Sequence, residues 1–143
     1  MVIGQTGILI VTTEHAAAEL KGKGFTETIS LQTWESVVMR KGASQVQITS
    51  MPGTHGPAIV EAFLPTVMGS MLEFQNAQGQ MTLRLYITGD TLVHDDLKEI
   101  PNRYPDIHLA LFHLGGTRIM GILLTMDAEQ GVEAIQIINP QEV

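Results

Sequence analysis

The chain has no cysteine. Disulfides and thiolate metal sites are therefore excluded, and any metal must be held by histidines and carboxylates. Basic residues are also scarce: 8 Lys and Arg stand against 15 Asp and Glu, giving a net charge of −7 and a pI near 5.0. They form no stripe that could follow a phosphate backbone, so nucleic acid is not an expected partner. Long apolar runs are missing too. Gly7–Val11 is too short to span a bilayer and lacks the basic start and small-residue cleavage pattern of a signal peptide. The expectation is a soluble, cytoplasmic chain. No repeat, linker or low-complexity segment interrupts the 143 residues, so a single domain over residues 1–143 is expected.

The apolar fraction of 44% with 16% charged residues is that of a globular chain with a core to bury. "GILIVT" reads as a buried strand. "EHAAAEL" reads as a helix with Thr13 as N-cap and Gly22 as its stop. "TETISL" and "ESVVMR" are short β-prone runs on either side of Trp34, and "SQVQITS" alternates as a half-buried strand does. "TVMGSMLEF" and "MTLRLYITG" read as two strands joined by the polar connection "QNAQGQ". A short helix over His94–Ile100, a buried strand "IHLALFHL" and an amphipathic helix "DAEQGVEAIQII" come after them. Met39, Met51, Met68, Met71, Met81, Met120 and Met126 fall in or beside apolar runs and read as core filling.

Two stretches carry possible chemistry. "MPGTHGP", directly after the strand-like run ending at Ser50, sets His55 among two glycines and two prolines. It is either a surface turn with an incidental histidine or a strand end presenting a metal ligand. "LYITGDTLVHDD" is a strand stopping in Gly89-Asp90-Thr91, which projects a carboxylate from the sheet end. It also reads as an ordinary strand-to-helix turn in which Asp90 or Thr91 caps the next helical segment. His94, Asp95 and Asp96 resemble a metal cluster, but two acids in the first turn of a helix already face its dipole favourably. His15 belongs to a helix surface and His108 to a strand. His113, in "LFHLGG" at the end of a buried strand, is read first as a satisfied core histidine and otherwise as a site residue.

Taken together, "MPGTHGP", "YITGDT", "LFHLGG" and "LTMDAEQ", preceded by "VTTEHAAAELKGKGFTETISLQTWES", resemble the metallo-β-lactamase superfamily. The likeness is nearest to its branch of L-ascorbate-6-phosphate lactonase-like and N-acylphosphatidylethanolamine-hydrolysing proteins, and it extends over nearly the whole chain. It implies an α/β fold, an αββα sandwich. It further implies that His55 is a ligand of one metal and that Asp90 bridges two. Thr91 would support the loop, and His113, Thr125 and Met126 would lie on the substrate side. Family members also carry a His-x-His-x-Asp-His cluster upstream and a ligand histidine in a later "Pro-x-His" stretch. Neither occurs here, the chain ending at "INPQEV". The resemblance therefore implies a partial domain whose N- and C-terminal parts are missing.

A catalytic zinc site has three protein ligands and an open position for water. With one imidazole and one carboxylate, binding of zinc or manganese, one or two ions in the parent family, is expected to be weak or absent. The expected function is part of a metal-dependent hydrolase acting on an ester, lactone or phosphodiester bond of a small-molecule substrate, inactive as this chain alone. The other reading is a non-catalytic remnant serving as a binding or assembly scaffold. Three origins are compatible with the sequence: a shortened reading frame, a degenerate remnant, or a chain completed by another polypeptide. Unpaired edges and apolar faces would favour a homo-oligomer or such a complementing chain.

Overall fold

The computed structural model describes residues 7–57 and 64–143. It opens with β1 (Ile10–Thr12), α1 (Glu14–Gly22) and β2 (Thr28–Ser30), a crossover in which β1 and β2 pair in parallel. Thr13 caps α1 as its sequence position suggests, its hydroxyl accepting from the Ala16 amide at 3.3 Å. Strands β3 (Ser36–Lys41), β4 (Ser44–Met51), β5 (Gly69–Gln75) and β6 (Met81–Ile87) form an antiparallel meander. β7 (Leu109–Leu111) joins β6 in parallel, giving a five-stranded sheet in the order β3-β4-β5-β6-β7. The β5–β6 connection is a turn held by Asn76, whose side-chain oxygen accepts from the amides of Gln78 and Gln80.

Between β6 and β7 the chain makes a 3-10 turn (Asp95–Lys98) and the short helix α2 (Glu99–Arg103). Pro101 sits in the first turn of α2, where its missing N–H costs nothing. A small hairpin, β8 (Arg118–Ile119) and β9 (Ile122–Leu123), precedes α3 (Ala128–Ile138). Asp127 caps α3, and Asn139 ends it in a left-handed conformation. α2 and α3 pack on one face of the sheet. Met51, Met71, Tyr86 and Ala110 from four adjacent strands meet Leu97, Ile100, Ile107 and Ile138 there. No helix among the described residues is long and apolar enough to cross a membrane.

Several expectations are corrected. The first strand starts at Ile10 rather than Gly7. "IHLALFHL" is not a buried strand throughout: β7 is an edge strand of three residues, and Leu111 is exposed. The ladder ends there because the next bond is made by a side chain, the His113 amide donating to the Thr88 hydroxyl at 3.0 Å. His108 precedes the strand, and its Nδ1 accepts from the Arg84 amide at 2.9 Å, taking the place of a ladder bond. The short helix near His94 is a 3-10 turn followed by α2. The β8–β9 hairpin is absent from the elements expected of the sequence. Met51, Met71 and Met126 are fully buried, whereas Met120 is 97% exposed in the β8–β9 turn at φ +51°.

Tyr86 is fully buried, and its hydroxyl has no hydrogen-bond partner among the described residues. Burial pushes the phenol pKa up. The native state thus keeps a proton that the unfolded chain releases above about pH 10, so stability falls as pH rises beyond that point. Tyr86→Phe is expected to raise the unfolding free energy by about 1 kcal/mol near neutral pH, because an unpaired polar group is removed from the core. It should also flatten the alkaline loss. Urea denaturation of both chains at pH 7 and above pH 10 checks both points.

Candidate functional site

The His55 loop leaves β4 through "MPGTHGP", and the Asp90 loop leaves β6 through "GDT". Both β4 and β6 flank β5, running in the same direction, so their C-terminal ends lie at one sheet edge. Gly89 is required where the second loop turns. Its φ is +64°, and a Cβ there would stand 2.6 Å from the Met68 carbonyl oxygen.

Thr91 stitches the two loops together. Its hydroxyl oxygen accepts from the Thr54 amide at 2.9 Å, and the Leu92 amide donates to the Thr54 carbonyl at 2.8 Å. The Thr91 carbonyl in turn accepts from the Met126 amide at 3.1 Å. Thr91 and Met126 are both fully buried. The immediate neighbours of His55 and Asp90 are therefore bonded to one another, and the "LTMDAEQ" segment is tied to the same residue. Thr91→Val keeps the shape but leaves the Thr54 amide without its acceptor, an expected loss of about 1–3 kcal/mol. Denaturation midpoints and amide exchange at Thr54 check this; unchanged protection at Thr54 would contradict it.

"LFHLGG" and "LTMDAEQ" meet across the base of the β8–β9 hairpin. The Gly116 amide donates to the Met126 carbonyl at 2.9 Å, and the Thr117 amide to the Thr125 hydroxyl at 3.1 Å. His113 is not a core histidine: its side chain is 53% exposed, with Nε2 at 3.5 Å from Asp90 Oδ1. Gly115 makes room for that ring. A Cβ at Gly115 would lie 2.7 Å from His113 Nε2 and 3.1 Å from Thr125 Oγ1.

His55 is half-buried, and its Nδ1 is buried with no hydrogen-bond partner among the described residues. Buried polar atoms are nearly always paired, so such a nitrogen marks a position with a partner still to be accounted for. A half-buried imidazole beside a loop presenting a carboxylate suits zinc or manganese. No group of three or more His, Asp and Glu side chains is placed to hold a metal among the described residues. His94, Asp95 and Asp96 are engaged locally: Asp95 pairs with Lys98 at 2.7 Å, and His94 Nδ1 stands 3.9 Å from Asp96. Hydrogen bonding and charge from Lys98 hold the Asp95 carboxyl below its ordinary pKa. His15 faces Glu19 on the exposed side of α1. A cleft of about 730 Å³ opens beside the His55 loop, lined by Thr54, Gly56, Pro57 and the segment Leu92 to Asp96, with Ile122, Leu123 and Gln130 opposite.

No family model matches the sequence, and neither does any curated protein. Solved structures do match. A metal-dependent hydrolase, described as possible, from Veillonella parvula superposes with a TM-score of 0.69 at 15% identity, covering 94% of this chain and 50% of that one. The isothiocyanate hydrolase from Delia radicum gut bacteria gives 0.66 at 17% identity, covering 94% and 51%. The metallo-β-lactamase fold protein YhfI from Bacillus subtilis gives 0.56 at 12% identity, covering 98% and 52%. The chain has a metallo-β-lactamase fold. It spans about half the length of these structures.

Proposed function

We propose that this chain supplies one wall of a metal-dependent hydrolase centre, with His55 as a ligand of one ion and Asp90 bridging two. The observation that carries the reading is the coupling of the two loops through Thr91, together with the His55 Nδ1, which is buried without a partner among the described residues. A bound zinc or manganese ion would supply an activated water and polarise the scissile bond. The chain's own contribution is to fix His55 and Asp90 relative to each other and to present His113 toward the substrate side, on a frame held by the buried Thr91, Thr125 and Met126. Donors beyond those of this chain are supplied by other polypeptide, whether continuous with it or a complementing chain. The chain by itself is then a weak metal binder without turnover. Substrates are small esters, lactones or phosphodiesters, and the hydrolase neighbours add isothiocyanates to the panel worth assaying. A cytoplasmic location belongs to the same proposal.

The test is completion of the centre. An upstream segment with the His-x-His-x-Asp-His cluster and a downstream "Pro-x-His" segment are fused to the chain, and zinc or manganese is added. Metal-dependent turnover of at least one member of the panel is expected. A folded, metal-loaded fusion that turns over none of them overturns the hydrolase reading and favours a binding scaffold.

A further inference from the structure

We infer that His113 is a direct metal ligand, binding through Nε2 the same ion that Asp90 binds through Oδ1. This rests on the proposed metal centre and adds a donor to it. The separation of the two atoms is 3.5 Å. That is long for a hydrogen bond between an imidazole and a carboxylate, which falls at about 2.7–2.9 Å when charge-assisted. It matches two donors sharing one zinc: with bonds of about 2.0–2.1 Å and a tetrahedral angle, the donors stand about 3.4 Å apart.

The surroundings hold the ring in this position. The His113 backbone is anchored by its amide bond to Thr88 Oγ1 at 3.0 Å, directly beside the Gly89-Asp90 turn. Gly115 leaves the space that Nε2 occupies, since a Cβ there would come within 2.7 Å of it. Both side chains are about half exposed, 53% for His113 and 54% for Asp90, so an ion can reach them from solvent. The pair is a two-donor site by itself, and its donor set of one imidazole and one carboxylate suits zinc or manganese.

The experiment uses the 143-residue chain with 15N-labelled histidine, titrated with zinc chloride and read through the imidazole nitrogen resonances. His15, His94 and His108 serve as internal references. The expected result is that His113 Nε2 and a ring nitrogen of His55 both shift with zinc, and that Gly115→Ala suppresses the His113 shift while sparing that of His55. Loss of affinity in His113→Ala, about tenfold or more, is also expected, but a residue that only orients Asp90 would produce a similar loss. The nitrogen shift decides. If His55 responds and His113 Nε2 does not, the inference is overturned and the proposed centre stands. If neither responds, the proposed centre falls and the inference with it.

Discussion

In the completed enzyme, Asp90→Ala is expected to lower kcat/KM by about a thousandfold or more while leaving the fold intact. The size follows from the proposed role of Asp90 as a bridging carboxylate: without it, positioning of the ions, activation of water and polarisation of the substrate would all suffer, and each would contribute several kcal/mol to lowering the barrier. The fold is spared because Asp90 is half exposed and its side chain faces His113 rather than the core. Gly89 and Thr91, not Asp90, hold the turn. Steady-state rates with a lactone and a phosphodiester, alongside a thermal melt, separate the two effects. An unchanged rate would show that the "GDT" stretch is an ordinary turn.

Arg84→Ala is expected to cost about 3–5 kcal/mol of stability, a loss seen as a large drop in the urea midpoint. Arg84 lies on the helix-covered face of β6, cross-strand from Glu73. Its guanidinium donates to Glu73 Oε1 from Nε at 3.1 Å and from Nη2 at 2.8 Å, and it also pairs with Asp106. It stands 5.4 Å from the centre of the Tyr104 ring. The Arg84 and Glu73 side chains are only 11% and 13% exposed, so removing the cation leaves a nearly buried carboxylate without its counter-charge. Glu73→Gln in the Arg84→Ala background should recover part of the loss. A loss below about 1 kcal/mol would place the pair with ordinary surface bridges.

Local patterns made the strands and caps legible in the sequence. The strand at "SQVQITS", the polar "QNAQGQ" turn and Thr13 before "EHAAAEL" each report a neighbour-range preference and each is found in place, but burial along β4 does not follow the alternation: Val46 and Ile48 are half-buried while Thr49 and Ser50 are buried. The resemblance of the four motif stretches pointed to a metallo-β-lactamase fold, and the solved structures agree. The features that stayed hidden depend on contacts between distant residues. Nothing near His113 in the chain reveals that its ring faces Asp90, because the two are joined only by β7 lying beside β6 and by Thr88 holding the His113 amide. The role of Thr91 was legible only as loop support, since its partners are Thr54 and Met126, far away in sequence. The β8–β9 hairpin was missed because two residues per strand are too few for a period to register.

His55 and Asp90 are proposed to face one metal centre. Paramagnetic broadening of backbone amides on adding sub-stoichiometric manganese to the 143-residue chain tests it most directly, because the ion reports its own position. The amides of Thr54, His55, Asp90 and Thr91 are expected to broaden first and together, with His113 among them. Broadening centred instead on Asp95 and Asp96 would contradict it, placing the ion at the exposed acidic turn and leaving the two loops as structural elements alone.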